Sequence, residues 1–125
     1  MKLQFVAIVA MSSLMAGPAL AQSASATEVI ATIGTSQFLK AAGKVDRASS
    51  ARVIRLSILL GGKTAGKRMA RAEAIYERDL EYLHSNLTIS PIVMQAIRGS
   101  GFDVESIVAL TIDSEGSVIL YADDL

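Results

Sequence analysis

The sequence predicts an α+β fold: one small domain of two or three helices packed on a small antiparallel sheet that ends in a C-terminal β-hairpin. Three observations carry this expectation. From about Thr64 to Ser85, Met69, Ala72, Tyr76, Leu80 and Leu83 recur at three- and four-residue spacing and Leu87 continues the series, the period of one helix face. Ser90-Pro91 then offers a cap and a first helical residue that needs no amide partner, and Gly99-Ser100-Gly101 offers a stop. Last, the β-rich runs Ile107–Ile112 and Ser117–Ala122 flank the turn-forming tetrapeptide Asp113-Ser114-Glu115-Gly116.

The remaining elements follow in chain order. Residues 22–34 read as a partly disordered leader because Gln22 to Ala26 is small and polar, although Thr27–Ile33 also suits a strand. The folded domain is expected over residues 35–125. A helix is predicted from about Thr35 to Ala42, with Thr35 or Ser36 as cap, Phe38 and Leu39 inward and Gly43 as stop. Over Ser50–Leu60, Ile54, Leu56, Ile58 and Leu60 alternate with Arg55, Ser57 and Leu59. This pattern, with the Gly61-Gly62 stop, favours a strand over a helix. In the hairpin, Val108, Leu110 and Ile112 are expected to face Val118 and Leu120 on the buried side. Asp123 and Asp124 would charge the end of an edge strand and discourage edge-to-edge pairing.

The first residues are read as an export signal. Lys2 is the only charge before Glu28, and Leu3–Met15 is almost wholly apolar. Gly17-Pro18 ends any helix, and Ala19-Leu20-Ala21 places small residues where a signal peptidase reads them. The apolar run of thirteen residues is short against the roughly 20 needed to span a bilayer. Cleavage after Ala21 and export to a bacterial periplasm are therefore expected, with no stable membrane span afterwards. No cysteine occurs anywhere in the chain. Thiolate nucleophiles, thiol redox chemistry and cysteine-ligated zinc are excluded, and the domain must rest on its core alone.

A formal net charge of zero hides a marked asymmetry. Lys40, Lys44, Arg47, Arg52, Arg55, Lys63, Lys67, Arg68 and Arg71 stand against Asp46 alone. From Ala72 onward only Arg78 and Arg98 face ten acids. Two readings follow: an anionic partner for the first half, or mutual neutralisation of the halves in the fold. The basic residues concentrate at Gly61-Gly62-Lys63-Thr64-Ala65-Gly66-Lys67-Arg68, which nearly spells a phosphate-binding loop. That motif requires Ser or Thr after its lysine, and Arg68 stands there instead, so nucleotide hydrolysis is not expected. A glycine-rich turn opening a helix still suits an anion, and Lys63, Lys67, Arg68 and Arg71 are the candidate binding residues.

Other features point to no chemistry. His84 is the only histidine, and metal or acid–base sites draw on several converging groups. Glu73, Glu77 and Glu81 share one helix face at four-residue spacing and read as a solvated surface. No Gly-x-Ser-x-Gly elbow occurs. With no tryptophan and few other aromatics there is no stacking platform for bases or sugars. No catalytic residue, metal or cofactor is expected, and no nucleic-acid partner. The sequence thus points to an exported envelope protein that acts by binding an unknown protein or an anionic envelope component. The alternatives are a small secreted hydrolase whose polar groups converge only in three dimensions, and a membrane-associated protein held by an uncut signal or by the basic segment 40–71.

Overall fold

A computed structural model describes residues 24–125; the expected export signal lies outside the described residues. Helix formation begins earlier than the sequence predicts. Ala26–Ala31 forms α1, opened by Ser25, whose hydroxyl accepts from the Glu28 amide at 3.1 Å. The Glu28 carboxylate accepts from the Ser25 amide at 2.9 Å in return, a reciprocal capping box that satisfies two amides of the first turn. Ala26, Val29, Ile30 and, just beyond, Ile33 are buried. The described part of the expected leader is therefore corrected: it holds a capped helix whose Ala26, Val29 and Ile30, with Ile33 beyond, join the core.

Helix α2 (Ser36–Ala42) matches expectation, with the Thr35 hydroxyl accepting from the Phe38 amide at 3.3 Å and Phe38 fully inside. Strand β1 covers Ser50–Arg55 only. The alternation predicted as far as Leu60 fails because the backbone tightens into a 3-10 turn over Leu56–Ile58. Leu56 and Leu59 are then buried, while Ile58 and Leu60 are 66% and 77% exposed. The single long helix expected from Thr64 is two helices, α3 (Gly66–Ile75) and α4 (Glu77–Leu87), broken at Tyr76. No proline or glycine sits at the break. Instead α3 docks on α1 and α4 docks on α2, so the two halves follow different partners. Helix α5 (Pro91–Ser100) starts and stops as predicted: buried Ser90 accepts from the Val93 amide at 3.3 Å and Gly101 takes the left-handed conformation.

Strands β2 (Ile107–Ile112) and β3 (Ser117–Ala122) form the expected hairpin, with Leu110 opposite Leu120 and Ile112 opposite Val118. Asp113 organises the turn by accepting from the amides of Glu115 and Ser117 at 2.9 and 3.0 Å. The sheet order is β1-β3-β2, and β1 pairs with β3 in parallel, Val53 beside Leu120. The sheet is therefore mixed where a purely antiparallel one was expected. A parallel pair needs a long crossover, and here the segment between Arg55 and Ser117 supplies three helices. Every residue from Val118 to Ala122 is buried, so helices cover both faces of the central strand. Helix α5 packs on β1, while α1 and α2 pack against β2.

Because β3 is central, Asp123 and Asp124 guard no edge. Asp124 instead accepts from the Ser57 amide at 2.9 Å and from the Ser57 hydroxyl. The Asp123 amide donates to the Ser106 carbonyl at 2.7 Å. The C-terminus is thereby tied to the turn that follows β1. No helix among the described residues is long and apolar enough to cross a membrane.

Candidate functional site

The basic candidates gather on one corner built from two tight turns and a helix start. The turn Gly62–Thr64 lies directly on the turn Leu56–Ile58. Gly62 makes this possible, since a Cβ there would run into the Leu56 carbonyl oxygen and the Ser57 backbone. Gly61, with φ +76°, reverses the chain between the two. Lys63 projects from the second turn, and Lys67, Arg68 and Arg71 come from the first turns of α3; all four are exposed.

Helix periodicity explains the sorting. Met69 and Ala72 face the core, which leaves Lys67 and Arg71, four apart, on the outward flank with Arg68 beside them. Ala65 precedes α3 and provides no side-chain cap, so the first amides of the helix face outward from the same corner. A strand-loop-helix phosphate site is absent, because β1 ends at Arg55 and two turns separate it from α3.

The sequence missed two residues here. Ile58 and Leu60 are the most exposed large apolar side chains among the described residues, and both belong to this corner. A signal for them was available: Leu59 and Leu60 are neighbours, and a strand cannot bury both on one face. Leu60 also meets the N-terminal end of the described chain. Its carbonyl accepts from the Ala26 amide at 2.9 Å, and Ser25 bridges to it in parallel.

The opposite flank of α3 is acidic. Glu73, Glu77, Glu81 and His84 line an open cleft of ≈ 470 Å³ with Ala74 and Leu80. His84 is half-buried and ties two elements together. Its Nε2–H donates to the Ile107 carbonyl at 2.8 Å, which fixes α4 against the start of β2. Partial burial, and then the negative charge of Asp123, raise the Glu73 carboxyl above its ordinary 4.5. Burial likewise raises the Tyr121 phenol, with Arg52 opposing. Glu77 and Glu81 stand on successive turns of one helix, whereas glycoside chemistry needs carboxylates facing each other across the substrate. Among the described residues no three His, Asp or Glu side chains are placed to hold a metal ion.

Glu73 supplies a pH test of this geometry. A carboxyl raised in the fold favours the folded state only while protonated, and that contribution is lost as pH rises through its folded value. Glu73→Gln is therefore expected to raise the urea midpoint slightly at neutral pH. The difference from wild type should vanish below 4.5, the ordinary value of the group. Equal midpoints at every pH would show that neither burial nor Asp123 disfavours the ionised Glu73 carboxylate.

Comparison with protein-family models, with curated proteins and with solved structures finds no match.

Proposed function

We propose that the protein is an exported, non-enzymatic component of the bacterial envelope that works by binding, offering Lys63, Lys67, Arg68 and Arg71 to an anionic partner. The observation that carries this reading is how the domain employs its acids. Asp103, Asp113, Asp123 and Asp124 all accept hydrogen bonds from amides or hydroxyls of their own chain. Glu28 does the same in its capping box. The four basic side chains meanwhile stand exposed on one corner, and Glu73, Glu77 and Glu81 line a cleft on the other flank of α3.

A hydrolase reading would have to use that cleft. It is less well supported, because His84 holds a backbone carbonyl and the helical acids do not face one another.

Lysine footprinting tests the proposal whatever the partner is. Envelope-associated and purified protein are treated with an amine-acetylating reagent, and each lysine is quantified by mass spectrometry. Lys63 and Lys67 should be protected in the envelope, and high salt should expose them. Lys40 and Lys44, also exposed in the fold, should label equally in both samples. Uniform labelling would overturn the binding assignment. A first residue far from Gln22 in the same spectra would overturn the export assignment.

A further inference from the structure

We infer that the partner of this corner is the surface of an anionic phospholipid bilayer, entered by Ile58 and Leu60 and held by Lys63, Lys67, Arg68 and Arg71. This inference rests on the binding role proposed above and names the partner for it. Basic residues alone would suit any anion. What distinguishes a membrane is apolar side chains at the same place, since peripheral attachment combines buried apolar area with attraction to anionic headgroups.

The two side chains are exposed for a definite reason. The 3-10 turn at Leu56–Ile58 places Leu56 and Leu59 in the core and turns Ile58 outward. Leu60 follows with its carbonyl engaged by Ala26 and its side chain in solvent. Because Gly62 packs against Leu56 and Ser57, Lys63 and Thr64 sit against the turn that carries Ile58, and α3 starts immediately behind them. The result is an apolar tip with a basic collar. Arg55, over the Phe102 ring at 6.0 Å, lies just before the tip.

Two acids border the tip, and both are occupied within the fold. Asp124 accepts from Ser57, and Glu28 accepts from Ser25. Neither outweighs the four exposed basic groups. The cleft acids Glu73, Glu77 and Glu81 lie across α3, so the charge is polarised, with the basic side toward the tip.

Vesicle co-sedimentation tests the inference, with wild type and variants compared at the same N-terminus so that any effect of residues 1–21 cancels. The probes are phosphatidylcholine vesicles with and without phosphatidylglycerol. Binding should require phosphatidylglycerol and fall as salt rises. A polybasic contact is worth about 1 kcal/mol per residue near the surface, so Lys67→Gln and Arg71→Gln should each weaken binding about fivefold. Leu60→Asp should abolish it while leaving the circular dichroism spectrum unchanged, because the side chain lies outside the core. Sedimentation that ignores Leu60→Asp would overturn insertion of the tip. No sedimentation with either vesicle, with Lys63 and Lys67 still protected in the envelope, would overturn the lipid assignment and leave the binding role standing, with a protein as the partner. Loss of both results would overturn both.

Discussion

Gly34→Ala is expected to lower the unfolding free energy by about 3 kcal/mol, from two separable causes. Gly34 lies in the turn between α1 and α2 with φ +82°. An L-residue in the left-handed region costs roughly 1–2 kcal/mol. The second cause is steric. A Cβ at Gly34 would overlap the Tyr76 ring at Cγ, Cδ1 and Cε1. Since Cγ is the ring atom nearest the backbone, the side chain cannot yield by moving its tip alone. Overpacking of this kind costs roughly 1–3 kcal/mol. In a domain whose total stability is of order 5–15 kcal/mol, the urea midpoint should fall sharply with little change in slope. In a Tyr76→Ala background the same substitution should cost only the conformational part. The coupling between the two sites should be of order 1 kcal/mol or more. Equal losses in both backgrounds would mean that Tyr76 is not seated on Gly34.

That contact also explains what could not be foreseen in the longest helical pattern. Met69, Ala72, Tyr76, Leu80, Leu83 and Leu87 keep one period throughout, and nothing local marks a break. The break at Tyr76 is made by tertiary partners, α1 for one half and α2 for the other. Signals confined to a few residues were legible. Ser90 and Pro91 placed the start of α5, and Asp113 to Gly116 placed the hairpin, because caps and turns are closed by side chains within the segment itself.

The parallel pairing of β1 with β3 was not legible. Alternation identifies a strand, but its neighbour lies more than sixty residues away, at Ser117–Ala122. The same limit applied to the corner. Lys63, Lys67, Arg68 and Arg71 were visible as charges, whereas the exposure of Ile58 and Leu60 depends on where β1 stops. Ser25-x-x-Glu28 was a different case. It is a local capping signature, but it competes with the expectation that a segment after a cleavage site is disordered.

Ile33→Ala carries the strongest consequence of that capping box. If residues 24–34 were a leader, the substitution would change stability by no more than about 0.5 kcal/mol, as surface changes do. Ile33 is instead 2% exposed, and truncating a buried isoleucine to alanine costs roughly 2–5 kcal/mol. Thr27→Ala, on the exposed side of α1, serves as the control and should stay within about 0.5 kcal/mol of wild type. The effect should reach the proposed binding corner as well. Helix α1 holds the Leu60 carbonyl through the Ala26 amide, so hydrogen exchange at Ala26 should be slow in wild type and faster in Ile33→Ala. The expected cleavage after Ala21 would leave only Gln22, Ser23 and Ala24 ahead of the capping residue. A chain begun at Thr35 lacks this capped helix and should lose both its stability and the ordered setting of Leu60.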